Sequence, residues 1–349
     1  MKIGLTYDLR QVYLEQGYNE EQTAEFESQE TVRALTSTLN ELGFEAVPIG
    51  HLRVLAERLL RGERWDLVFN VAEGLHGFGR EAQVPCLLDS FEIPYTFSDP
   101  LVLSLTLHKA MTKRVLRDLG IPTPDFAVVE TEADLGQVTL PFPLFAKPVA
   151  EGTSKGITAA SRVSTAEELE RTCSNLFQKF SQPVLIEEFL PGREFTVGIT
   201  GTGHHCQILG VMEIFLAPEA EPMAYSYNNK AHYENLVQYR LVTDKTARRA
   251  AEMALAAWRG LGCRDGGRID LRCDSKGRVS LMELNPLPGL HPVRSDLCIL
   301  ARMAGTSYSE LISRIVHSAL ERLRQPKTSV SPRATAAPAA TRSQAATIA

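Results

Sequence analysis

The sequence lacks any C-x-x-C pair. Its six cysteines (Cys86, Cys173, Cys206, Cys263, Cys273 and Cys298) are scattered along the chain. Such spacing argues against a disulfide framework or a zinc site and suits reduced, buried thiols of a cytosolic protein. No apolar run approaches the roughly 18 residues of a membrane-crossing helix. Residues 1–8 carry no apolar signal-peptide core. On these grounds the expected location is cytoplasmic. There is no G-x-x-x-x-G-K-[ST], which excludes a Walker A loop, and no G-x-G-x-x-G follows the first apolar run, so a dinucleotide site there is not expected. Charge of one sign is also scarce. A net charge of −5 gives no reason to expect nucleic acid or an anionic membrane as partner.

What is present is ordinary for a soluble globular protein: 349 residues, 44% hydrophobic and 23% charged. That length suits two or three domains. Apolar runs at 2–7, 45–49 and 66–71 read as strands. Helical patterns fall at 20–42, ending at Gly43 as a C-cap, at 51–60, and at 80–91 with Pro85 in the first turn. This alternation predicts a parallel sheet covered by helices, an α/β domain over about 1–97. A helix over 103–119 follows, closed by Gly120, and then strands at 143–148 and 157–162. Next come an amphipathic helix at 165–180 and strands at 184–190 and 208–214. Residues 215–240 form a long connection, a length typical of lids. Helices are expected at 243–261 and 308–324. Beyond 325 the composition turns to Ala, Pro, Thr and Ser, which predicts a disordered tail over 326–349.

The most informative stretch is 266–289. Arg268, Asp270 and Arg272 alternate with Ile269, Leu271 and Cys273, then Asp-Ser-Lys-Gly supplies a turn. The return run alternates too, with Val279, Leu281, Glu283 and Asn285 expected on one side. Closing the turn with Cys273 opposite Arg278 makes Asp270 and Glu283 diagonal neighbours, about 7–8 Å apart. Asn285 lies two residues further on. Three oxygen ligands, two of them anionic, suit a hard cation such as Mg²⁺ that shares its shell with phosphates. A solvated hairpin face carries the same residue types, and spacing alone leaves both readings open. Asn285-Pro-Leu-Pro-Gly289 then makes a rigid turn whose final glycine lets backbone N–H groups approach a ligand.

Arg-Ile-Asp at 268–270, Glu283-Leu-Asn285 and the Pro-Gly at 288–289 resemble the metal-binding segment of the ATP-grasp ligases, and within them D-alanine–D-alanine ligases. The resemblance runs from residue 1 to about 324 in the family's order. It implies an ATP-grasp fold: a Rossmann-like α/β domain (1–97), then two α+β subdomains (98–188 and 189–325) that clamp ATP. The implied metal ligands are Asp270, Glu283 and Asn285, holding Mg²⁺ (or Mn²⁺), two ions in all. The implied nucleotide contacts are Lys109, Lys147 and the Glu151–Gly156 loop with Thr153 and Ser154. Glu187 is placed at the adenine amino group, the backbone of Glu188 and Leu190 at the ring, and Glu194 at the ribose. Lys230 in the lid is placed at phosphate. Arg268 and the Gly289 N–H are implied to stabilise an oxyanion, and Arg294 or Ser295 to meet the second substrate.

The reaction so implied is ATP-driven joining of a carboxylate to an amine through an acyl phosphate. The substrates are amino-acid-like and a homodimer is usual for the family. Three departures suggest a different pair of substrates. No Gly-Gly-x-Ser-x-Glu lies near 6–15, Ala72-Glu73-Gly74 stands where the family has Leu-His-Gly, and Ala231 follows Lys230 in place of Tyr. Glu73 is the acid expected to replace the missing one. Two other classes are kept. One is a non-catalytic ATP-grasp nucleotide binder. The other is a serine hydrolase with Ser154 as nucleophile, from the G-x-S-x-G at 152–156. The latter needs a helix straight after the turn, whereas 157–163 reads as extended.

Overall fold

The computed structural model describes residues 1–216 and 237–324. Lys230, Ala231 and the tail 326–349 lie outside the described residues, so the expectations placed on them go no further.

Three sheets follow one another along the chain. The first is parallel, with β1 (Lys2–Tyr7) between β2 (Glu45–Gly50) and β3 (Leu67–Val71). β3 is buried at all five positions, as expected of a parallel strand covered on both faces. The second sheet is antiparallel in the order β4 (Phe126–Val129), β7 (Val184–Glu188), β5 (Leu144–Pro148), β6 (Arg162–Val163). The third is antiparallel in the order β10 (Val237–Leu241), β9 (Gln207–Leu216), β8 (Glu194–Thr200), β11 (Gly266–Cys273), β12 (Val279–Asn285). One face of the third sheet is dry. Ile269, Leu271 and Cys273 pack there against Ala250, Ala254 and Trp258 of the Lys245–Gly260 helix. The other face carries Arg268, Asp270 and Arg272, and a cavity there is shared with Phe145 and Lys147 of the second sheet.

Several sequence expectations are corrected. Residues 20–42 are not one helix. Asn19 and Gln22 exchange side chain-to-backbone hydrogen bonds of 2.8 and 2.9 Å, which closes a local turn. Ser28 then caps a helix confined to Gln29–Glu41, its Oγ accepting from Thr31 N. The expected 103–119 helix is two helices, Pro100–Leu107 and Lys109–Asp118. The chain breaks at His108, whose Nδ1 accepts from Met111 N, while Lys109 N donates to Val149 O. Residues 157–162 hold a single 3₁₀ turn, Ala159–Ser161, before the two-residue β6. The expected connection 215–240 is shorter, because β9 runs on to Leu216 and Val237–Leu241 is a strand. A helix at Asp296–Met303 had no expectation at all.

The hairpin register also differs. Leu271 pairs with Leu281, but Asp270 pairs directly with Glu283, leaving Met282 as an extra residue. This bulge reverses the alternation along β12. Val279, Leu281 and Leu284 all face the core, whereas Glu283 and Asn285 emerge on the opposite face, beside Asp270. A strict two-residue period would have left Glu283 on the same side as Leu281.

Candidate active site

The bulge gathers the acidic residues. Asn285 Nδ2 lies 3.3 Å from Asp270 Oδ2 and 3.4 Å from Glu283 Oε1. The amide therefore sits between the two carboxylates. Turning it over would offer a third oxygen at the same point, since the two amide ends are interchangeable in shape. Thr196 Oγ1, on the neighbouring β8, donates to Asp270 Oδ1 at 2.8 Å and fixes that carboxylate. The set therefore fits a hard cation by donor type and by convergence. Among the described residues no group of three or more His, Cys, Asp or Glu fits a metal, so the amide is needed to complete the set.

Arg268 pairs with Asp270 and lies 3.8 Å from Asp296. Burial alone would lower the guanidinium's pKa, but Asp270, Asp296 and Glu283 outweigh it and hold the charge on. Lys109 Nζ donates to Glu151 O at 2.5 Å and stands 3.5 Å from Glu283 Oε2. Thr153 and Ser154 of the Glu151–Gly156 loop both have positive φ, 49° and 57°, a cost accepted where a loop must present its backbone.

Lys147 and Lys113 close on Glu187 from two sides, at 2.7 and 2.5 Å, as ion pairs rather than as well-aligned hydrogen bonds. Glu187 and Lys113 are completely enclosed. Burial would raise the carboxyl, but the two ammonium groups bring it below its usual range. Burial takes Lys113 down to about 8. Lys147, which also feels Glu283 and Glu194, is shifted upward despite its burial. In this geometry Glu187 is enclosed as the shared counter-ion of both lysines. Lys147 lines the cavity between the sheets and Glu187 stands behind it. Glu188 is exposed at the end of β7, its N–H donating to Asp125 O, and Leu190 is buried. Glu194 lines the cavity and is paired to Arg272 at 3.3 Å.

Three cavities meet at one side chain, Arg268. The first lies between the second and third sheets and is lined by Lys147, Ser154, Glu194, Asp270 and Glu283. The second runs toward the first sheet and takes in Glu25, Glu73, Glu81, Lys109, Asn285 and Gly289. The third opens past Thr153 and Gly289 to His291, Arg294 and Ser295. Ser295 Oγ accepts from His291 N at 2.9 Å, and a Cβ on Gly289 would meet that Oγ at 3.0 Å.

Sequence reasoning missed Glu25. It lies in the segment before Ser28 and lines the second cavity. Glu25 is 7% exposed and bonded to Arg80 at 3.2 Å and Lys155 at 2.6 Å. The stretch Glu20–Ser28 carries four acids in a helix-like spacing, which hid the one that turns inward. Lys113, Thr196 and Asp296 were also missed as parts of the site. Among the described residues no histidine lines the cavity that Ser154 faces, and a 3₁₀ turn rather than a helix follows the loop, which speaks against the serine hydrolase.

A family model described as the D-ala D-ala ligase C-terminus matches residues 115–317. The D-alanine–D-alanine ligase of Bordetella petrii is 36% identical over 280 residues, covering 78% of this chain and 81% of that protein. That of Aquifex aeolicus is 33% identical over 292 residues, covering 83% and 94%. The crystal structure of D-alanine–D-alanine ligase from Bacillus anthracis complexed with ATP superposes with a TM-score of 0.70 at 24% identity, over 92% of this chain and 98% of that one. The likeness to that structure gives the fold as ATP-grasp, as the resemblance implied. Among the described residues no helix is long and apolar enough to cross a membrane. With the family model spanning more than half its length, the chain belongs to the D-alanine–D-alanine ligase family of ATP-dependent C–N ligases.

Proposed function

We propose that this chain joins the carboxylate of one small amino acid to the amine of a second, with ATP converted to ADP and phosphate. D-alanine, named in its relatives, is the first substrate to test. The observation that carries this reading is the meeting of three cavities at Arg268. A ligase of this kind must bring a phosphoryl donor, an acid and an amine to one point, and few other activities need three compartments there.

The cavity between the sheets would take ATP, with Lys147 and Lys109 at the phosphates, Thr153 and Ser154 covering them, and Glu194 at the ribose. The backbone around Glu188 and Leu190 would meet the purine, and Glu187 would hold Lys147 in place from behind. Asp270, Glu283 and Asn285 would hold one or two Mg²⁺ (or Mn²⁺) ions, which neutralise phosphate charge as it moves. The acid's carboxylate would be phosphorylated beside Arg268. An amine seated near Arg294 and Ser295 would then attack the acyl phosphate. Arg268 and the Gly289 N–H would stabilise the oxyanion that forms. Phosphate leaves, the attacking nitrogen loses a proton, and an amide remains. A cytoplasmic location and a homodimer accompany this reading.

The test is ATP-dependent product formation by the purified chain with Mg²⁺ as the only divalent ion. D-alanine is offered alone and in pairs with L-amino acids and hydroxy acids. ADP release matched by a dipeptide is the expected result. ATP binding with no acid-dependent ADP release would overturn the reading in favour of a nucleotide-binding relative.

A further inference from the structure

The Glu151–Gly156 loop holds Thr153 and Ser154 in left-handed backbone, at φ 49° and 57°. Two such residues in a row persist only where their surroundings fix them. Here the loop is pinned at both ends. At the near end Lys109 Nζ donates to Glu151 O at 2.5 Å, Gln182 Nε2 to Glu151 Oε1 at 2.7 Å, and Arg80 Nη1 to Ala150 O at 2.8 Å. At the far end Lys155 Nζ lies 2.6 Å from Glu25 Oε2 and 2.5 Å from Glu151 Oε2. Its backbone N–H donates to Gly152 O at 3.0 Å, closing the turn between the two pins. Arg80 holds Glu25 from the other side, 3.2 Å from each carboxylate oxygen. The Lys155, Glu25 and Arg80 side chains are 8%, 7% and 5% exposed, so water is not at hand to replace a lost partner. A Cβ on Gly152 would collide with Glu25 Oε1, so the close approach needs that glycine.

Resting on the ligase reading above, we propose that Lys155 is a positioning residue: paired with Glu25, it locks the loop to the segment before Ser28, so that Thr153 and Ser154 stay over the phosphates and water is kept from the acyl phosphate. Lys155 lines none of the three cavities that meet at Arg268, so it acts on the reaction only through the loop. Glu25 lines the second and third of them. One carboxylate thus borders the substrate compartments and holds the nucleotide loop. The loop lifts only by parting Lys155 from two carboxylates in an enclosed setting, where an unpaired charge is costly. Lys179 repeats the tie further out, 2.6 Å from Glu21, but it is 54% exposed and such a pair contributes little.

Lys155→Met keeps the side chain's length and removes its charge. With ATP, Mg²⁺ and the amino-acid pair that the wild type joins, amide formation should fall about 10- to 100-fold, the cost of a lost charge-assisted bond. ADP released per amide formed should rise above one-to-one as the acyl phosphate meets water. Glu25→Gln should slow amide formation too, and the double variant should be no slower than the slower single one, because the two side chains act as a unit. Hydrogen exchange reads the loop without turnover. The amides of residues 152–156 should exchange about 10-fold faster in Lys155→Met than in the wild type. Gly152→Ala crowds Glu25 without removing a charge and should speed the same amides, which keeps the test open if Lys155→Met fails to fold. A lower melting temperature in Lys155→Met with wild-type amide formation and an unchanged ADP-to-amide ratio would make Lys155 a structural residue and overturn the proposal. Losses in the single variants that multiply in the double would overturn it as well. If the wild type joins no pair offered, the ligase reading fails by itself. Faster loop exchange in Lys155→Met would then still support the clasp, and unchanged exchange would overturn it.

Discussion

Asp270 and Glu283 were legible as a pair because their residue types and the turn between them restrict what they can do. Their exact opposition was not legible, because nothing in Val279–Asn285 marks Met282 as the extra residue. Glu283 faces both Asn285 and Lys109, one from its own strand and one from the Lys109–Asp118 helix. Glu283→Gln keeps the volume and removes the charge, so ATP turnover should be lost while the melting temperature holds. Near-normal turnover with Mg²⁺ alone would refute its place at the metal. Arg268→Ala should slow the chemical step by about 100- to 1,000-fold, the usual cost of one oxyanion donor, with ATP affinity retained. A change in ATP affinity alone would move Arg268 from the reacting atoms to the nucleotide. Glu187 calls for a different expectation. Its carboxylate is the shared counter-ion of Lys113 and Lys147 in a dry setting. Glu187→Gln leaves two enclosed ammonium groups facing a neutral amide. A loss on the order of 3–5 kcal/mol in unfolding free energy follows, because the uncompensated charge stays buried. Unchanged stability with weakened adenine binding would restore the purine contact that the sequence implied.

Elements were legible where one interaction dominates. The buried β3 and the Thr165-capped helix Ala166–Phe180 follow from apolar runs and an N-cap. The break at His108 was not legible. It rests on Lys109 N donating to Val149 O and on Thr112 Oγ1 donating to Leu105 O, partners that the local pattern cannot show. Strand β11 shows how closely the site is packed from behind. A Cβ added at Gly267 would stand 2.5 Å from Asn285 O and 2.7 Å from the Trp258 ring. Neither can retreat easily. The first belongs to the backbone of a metal-ligand candidate, and the second is a fully buried side chain. Gly267→Ala should therefore push β11 from β12 at Arg268 and Asn285. Overpacking of this kind costs about 1–3 kcal/mol. Turnover should fall more than stability, because the candidate metal ligands span that strand pair. A variant with wild-type turnover would show that the pair yields elsewhere.

At the scale of the molecule, the sequence suggested separate units, with a first domain ending near residue 97. The packing is less divided. Ile3, Leu5, Leu35 and Phe69 of the first sheet and its helix share one core with Leu290, Leu297, Leu311 and Ile315 from the last part of the chain. No periodicity could reveal that, because each amphipathic segment advertises an apolar face without naming its partner. A single buried carboxylate joins the same regions. Asp265, fully enclosed, accepts from Phe97 N at 2.8 Å, Ser318 Oγ at 2.8 Å, Thr202 Oγ1 at 3.1 Å and Arg322 Nη2 at 2.5 Å. Arg322 in turn donates to Tyr95 O at 3.0 Å. The end of the first domain, the third sheet and the final helix are thus tied at one point, far along the chain from one another. Removing the carboxylate leaves the Arg322 guanidinium without its counter-ion and the Phe97 N–H without its acceptor. Asp265→Ala should destabilise the whole protein by about 3–5 kcal/mol, in a single transition, because every partner belongs to the shared core or its border. Asp265→Asn, which keeps one acceptor, should lose less. The measurement is thermal or denaturant unfolding followed at once by far-ultraviolet dichroism and by tryptophan fluorescence, since Trp65 lies by the first sheet and Trp258 by the third. If Asp265→Ala split the unfolding into two separate steps, the regions would be independent units and the shared core would not be what holds them together.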